Sequence, residues 1–60
     1  MRDWLKVIRQ IQGVKQEEVA ASANISRSYY ANIERGNKTP SVLVAKKIAN
    51  YLKFEWSKFY

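Results

Sequence analysis

The chain has sixty residues, with eleven Lys and Arg against five Asp and Glu. These make one small basic domain of net charge +6, whose 47% hydrophobic content suits a folded chain and not a disordered basic tail. Without Cys or His it has no disulfide, zinc site, thiolate nucleophile or imidazole base, and its five acids are scattered, which excludes most enzyme chemistry.

Trp4, Val7, Ile8 and Ile11 recur at i, i+3, i+4 and i+7, the apolar stripe of an amphipathic helix over about residues 3–12. Asp3 is the expected cap at its start, and Gly13 the left-handed residue that ends it. Gln16-Glu17-Glu18 opens a second helix, to about residue 23, with two acids in its first turn. Lys15 is a poor cap there, although Glu18 can reach back to a free backbone N–H. Val19, Ala20 and Ala23 make the inward stripe, and the alanines let another helix come close.

Asn24-Ile25-Ser26 reads as a tight turn: Asn tolerates a left-handed backbone, Ile25 plugs the core, and Ser26 caps the next helix. This third helix runs from Arg27 to Arg35 and stops at Gly36. After a loop at 37–39, Thr39 is the expected cap and Pro40 the first position of a fourth helix over about 41–52, with Val44, Ala45, Ile48, Ala49 and Leu52 inward. A fifth helical turn over Glu55–Tyr60 sets Trp56, Phe59 and Tyr60 on one side. No segment alternates long enough to compete as a strand.

Two short helices joined by a three-residue turn make a helix-turn-helix arrangement. In this order and spacing, Leu5, Arg9, Gly13, Gln16-Glu17-Glu18-Val19-Ala20, Ile25-Ser26, Ile33-Glu34-Arg35-Gly36, Pro40-Ser41, Ala49 and Leu52 resemble the Cro/repressor-like (XRE-type) helix-turn-helix regulators of bacteria and phages. The resemblance spans about Leu5 to Phe59. Lys15 departs from its usual Ser or Thr cap, and Asn24 from its usual turn Gly. It implies an all-α, compact five-helix bundle of the lambda-repressor-like DNA-binding type, a single domain over residues 1–60 with the motif at about 16–35.

A helical wheel of residues 27–35 sets Tyr30 and Ile33 on the buried side and Ser28, Ala31, Asn32 and Arg35 opposite, with Arg27 at the margin. That outer face is polar and cationic, and Arg and Asn are the side chains that pair bidentately with guanine and adenine. The resemblance implies base reading by Arg27, Ser28 and Asn32, with Tyr29 on the shoulder of the helix. Phosphate contacts are expected from Gln16, Asn37, Lys38 and Arg35. Lys46, Lys47 and Lys53 read better as a solvated face. Arg9 and Glu34 each adjoin an apolar stripe, and the resemblance implies a partly buried ion pair between them with no DNA contact. Trp56, Phe59 and Tyr60 either close the core or form a dimer interface.

These readings converge on a sequence-specific double-stranded DNA-binding transcriptional regulator, a repressor that binds a palindromic operator as a homodimer. A chain this short buries only about 60% of its unfolded surface, which also favours self-association. No cofactor, metal or small-molecule site is expected. The longest charge-free run, Val19 to Ser26, falls far short of the roughly 20 apolar residues of a membrane span. With no apolar leader after Met1, the expected location is cytoplasmic. The rival reading is a protein-interaction module (an antitoxin, antirepressor or inhibitor) on the same fold, which a hydrophobic outer face on the third helix would have favoured.

Overall fold

A computed structural model describes residues 2–60; Met1, the start of the leader reading, lies outside them. It contains α1 (Asp3–Ile11), α2 (Gln16–Ser22), α3 (Arg27–Arg35) and α4 (Val42–Leu52), then a single 3-10 turn at Trp56–Phe59, with no strand among the described residues. The expectation of five helices is therefore corrected to four. Lys53 turns left-handed at φ 63° and ends α4. The segment beyond it is held by i to i+3 bonds, Lys58 N to Glu55 O at 3.0 Å and Tyr60 N to Ser57 O at 3.0 Å. Four residues are too few to offset the cost of starting an α-helix.

The α3 bounds match the expectation because both stop signals act locally. The Ser26 Oγ accepts from Tyr29 N at 3.0 Å, and Gly36 adopts φ 86°. Two other caps differ. Asp3 lies inside α1, and Arg2 occupies the cap position, its carbonyl accepting from Leu5 N and Lys6 N. Pro40 and Thr39 precede the start of α4, which Ser41 caps by accepting from Val44 N at 3.2 Å. Pro40 is instead buried, its carbonyl accepting from the Tyr60 hydroxyl. The α2 start follows its expectation: Lys15 N–H donates to Glu18 Oε1 at 3.2 Å.

Leu5, Val19, Ala20, Ala23, Tyr30, Ile33, Ala45, Ile48, Leu52 and Phe59 form the core. Fully burying one side chain of the size of Leu5, Ile33, Ile48 or Leu52 contributes about 1.5–3 kcal/mol. Ala20 and Ala23, each 2% exposed, let α2 pack closely against both α3 and α4. Below them Trp4, Phe54 and Phe59 meet edge-on or tilted, with ring centroids 5.2–5.6 Å apart.

The stripe of α1 is rotated from its expected position. Leu5 is fully buried, while Val7 and Ile11 are 50% and 80% exposed. The face that turns inward is Trp4, Leu5, Ile8 and Arg9; Gln12, exposed just past the helix end, donates through Nε2 to Leu52 O at 2.6 Å.

Candidate nucleic-acid interface

The segment from α2 to α3 turns at Asn24, which takes φ 58°, and Ile25 N closes the turn on Ala20 O at 3.0 Å. An L-residue tolerates that conformation best when its side chain is short and polar, as here. Ile25 packs against the core from the turn. The two helices are thereby fixed as a pair, with α3 presenting one side to solvent.

Arg27, Ser28, Arg35, Asn37 and Lys38 are exposed, and Gln16, Tyr29 and Asn32 are half-buried. Ala31 departs from its expected place: it is 5% exposed and belongs to the inward side of α3, as does Glu34. The outward strip of α3 is therefore narrower than the wheel suggested, consisting of Arg27, Ser28, Asn32 and Arg35. Tyr29 sits on the shoulder, packed partly on the core.

Beneath this strip lies a continuous polar network. Arg9 Nε donates to Glu34 Oε2 at 2.6 Å, and Arg9 Nη2 lies 3.4 Å from Glu34 Oε1. Arg9 also donates through Nη1 to Val14 O at 2.9 Å, which ties the loop after α1 to the same guanidinium. Glu34 is only 3% exposed, so α1 and α3 are joined by a charge pair almost out of water. Burial alone would raise the Glu34 carboxyl, but hydrogen bonds, led by those from Arg9, outweigh it and hold the group below the ordinary carboxylate range. The same contact holds Arg9 protonated more firmly than usual. The Tyr30 hydroxyl, buried beside the pair without a hydrogen-bond partner, is pushed up first by burial and then by the Glu34 carboxylate.

The network continues to the surface through Gln16. Its Nε2 donates to Glu34 Oε1 at 3.2 Å, and its Oε1 accepts from Arg27 Nη1 at 3.3 Å. The carboxylate thus fixes which way the Gln16 amide faces, and the amide oxygen in turn steadies one arm of the Arg27 guanidinium. A guanidinium carries five N–H donors, so the remaining arms stay available to an outside acceptor. At the other end of α3, Arg35 Nη1 donates to Asn32 Oδ1 at 3.1 Å and Asn37 Nδ2 approaches the same oxygen at 3.5 Å. For Asn32 to pair bidentately with adenine, that oxygen must be released, whereas its NH2 group already stands free of these contacts.

Asn37 and Lys38 come directly after Gly36, and their backbone N–H groups cap α3 by donating to Asn32 O at 2.9 and 3.3 Å. The C-terminal aromatics divide. Phe59, at 7% exposed, is a core residue and so is corrected out of the expected dimer face, while Tyr60 is 61% exposed and Trp56 half-buried. Trp56 and Tyr60 meet edge-on at 6.1 Å, with Lys46 lying 5.1 Å over the Trp56 ring. Among the described residues no cluster of acids could hold a metal ion, and no helix is long and apolar enough to cross a membrane.

Sequence reasoning missed Arg2. Its guanidinium Nη1 donates to Ile33 O at 2.7 Å and to Lys38 O at 3.0 Å, and its backbone N–H donates to Glu34 O at 2.8 Å. No periodicity marks such a residue, because its partners are backbone carbonyls more than thirty positions away.

A capped helix pair, a left-handed turn between the helices and a polar outward strip on the second one define a helix-turn-helix unit. Residues 5–59 match the profile of the helix-turn-helix family, and the chain belongs to that family. It is a transcriptional regulator with a helix-turn-helix DNA-binding domain. Over all 60 residues it is 52% identical to YqaF of Bacillus subtilis, an uncharacterized HTH-type transcriptional regulator, and covers 79% of that protein. It is 38% identical over 53 residues to the immunity repressor protein of Bacillus phage phi105, covering 88% of this chain and 37% of the repressor. It is 36% identical over 45 residues to the regulator y4dJ of Sinorhizobium fredii, covering 75% of this chain and 58% of that one.

Proposed function

We propose that the chain is a single-domain, cytoplasmic repressor that binds a palindromic double-stranded operator as a homodimer. The observation that carries this reading is the relay from Glu34 through Gln16 to Arg27, which holds a guanidinium at the outward start of α3. Orienting a long cationic side chain before binding lowers the entropy lost when it meets a base. In this reading α3 lies in the major groove. Arg27 forks onto guanine, Ser28 and Asn32 take neighbouring bases, and Tyr29 touches a thymine methyl or a phosphate from the shoulder. Gln16, Arg35, Asn37 and Lys38 contact the backbone and set the register. Resemblance to a protein named as an immunity repressor supports repression over activation.

A second copy places the other half-site roughly 34–36 Å away, one turn of the duplex. Of the C-terminal three, Tyr60 and the rim of Trp56 are available to such an interface. The reading requires no cofactor, metal or small molecule.

Selection of bound duplexes from a random pool, repeated with Arg27→Ala, tests the proposal. An enriched palindrome that loses one base preference in the variant supports it. No enrichment above competitor DNA at moderate salt overturns it and favours a protein partner instead.

A further inference from the structure

We propose that Arg2 is a positioning residue of the DNA interface, fixing the end of α3 and the Gly36–Lys38 loop so that Asn37 and Lys38 meet the DNA backbone; this rests on the DNA reading above. The last carbonyls of a helix lack intrahelical partners and favour a cation. Arg2 supplies both needs from outside the helix: one guanidinium nitrogen bridges Ile33 O, in the last turn of α3, and Lys38 O, beyond it, at 2.7 and 3.0 Å. That bridge fixes the distance between the helix end and the loop. The backbone N–H of Arg2 adds a third bond, to Glu34 O at 2.8 Å.

Little else holds the loop. Gly36, Asn37, Lys38 and Thr39 are all exposed, and the N–H groups of Asn37 and Lys38 both depend on the single carbonyl of Asn32. Arg2 is itself anchored, since its guanidinium lies 5.7 Å from the Phe59 ring centroid and its helix begins at the next residue. The brace thus runs from the aromatic base of the domain to the loop. Arg2 itself lies outside residues 5–59, the span shared with the family profile, while its partners lie within it.

The proposal differs measurably from two simpler roles, a direct phosphate contact and plain fold stability. The test is a double-mutant cycle of Arg2→Met and Lys38→Ala, reading affinity for the selected duplex. Methionine keeps an apolar stem against Phe59 while removing the donor and the charge. Each single variant is expected to bind about three- to tenfold more weakly, the size of one lost hydrogen-bonded contact. The double variant is expected to bind more tightly than the product of the two single losses, because the share of the Arg2 effect that acts through Lys38 is already gone and only the share through Asn37 remains.

Losses that multiply overturn the proposal, since a residue touching phosphate by itself would act independently of Lys38. A lowered Tm with unchanged affinity overturns it as well, leaving Arg2 a role in stability alone. If Arg2→Met melts near the assay temperature, the cycle is run in sucrose, which restores the folded population without supplying the missing donor. Failure of the wild-type chain to select any duplex defeats the DNA reading itself. Selection by the wild type with multiplying losses defeats only the assignment of Arg2.

Discussion

Replacing Arg9 by alanine strands a carboxylate. Glu34 is 3% exposed and would keep only the Gln16 amide at 3.2 Å as a donor. Removing one partner of a buried pair costs about 3–5 kcal/mol, whereas a 60-residue domain has a total stability of roughly 3–9 kcal/mol. With an unfolding entropy of about 2.1 cal/mol/K per residue, a loss of ~3 kcal/mol lowers Tm by about 24 °C. Thermal melting by circular dichroism reads this directly.

The pH dependence should distinguish the cause. In the wild type the Glu34 carboxyl is held below its ordinary range, so its contribution is present above an unfolded pKa of about 4.3 and is lost as pH falls through the lower folded value. In Arg9→Ala, burial without the guanidinium raises that carboxyl, so acidification protonates it and stabilises the fold. The gap between the two proteins should therefore narrow below about pH 4. The double variant Arg9→Met/Glu34→Met, which leaves no buried charge, should recover most of the lost stability. A Tm for Arg9→Ala within about 3 °C of wild type, under 0.5 kcal/mol on the same scale, would refute the argument.

Three further outcomes are expected. Gln16→Ala should weaken operator binding about tenfold in a gel-shift titration, because it removes the proposed DNA-backbone contact and also frees Arg27. Lys53→Gly should raise Tm by a few degrees: relief of a left-handed lysine, worth about 1–2 kcal/mol, outweighs the greater freedom of glycine when unfolded, about 0.5–1 kcal/mol. Ser26→Ala should destabilise by about 1 kcal/mol in denaturant melts through loss of the α3 cap, with Ser41→Ala a matched control on α4 that leaves DNA affinity at the assay temperature unchanged.

What could be read in advance was whatever the chain settles within a few residues. Ser26 and Gly36 bound α3 by their own chemistry, and Asn24 tolerates the left-handed backbone that the turn before this helix needs. Decisions made across the fold were not legible. The first helix begins after Arg2, whose backbone is engaged by the end of α3, so a reading of Asp3 as the cap had no means of success. The inward face of α1 includes Arg9, which an apolar period of three or four passes over. How the aromatic triad divides between core and surface was hidden for a related reason: Phe59 is drawn in by Trp4 and Phe54, leaving Tyr60 facing solvent. Arg27 and Asn32 stood out by residue type and Gln16 by its place at the head of α2, but the bonds linking Glu34, Gln16 and Arg27 depend on how three segments meet.

The Arg2 guanidinium over the Phe59 ring couples the segment before α1 to the turn after α4, beside the last turn of α3. Through that one side chain a change in the aromatic base of the domain reaches the carbonyls of Ile33 and Lys38, so the packing around Phe59 and the shape of the loop after α3 do not vary independently.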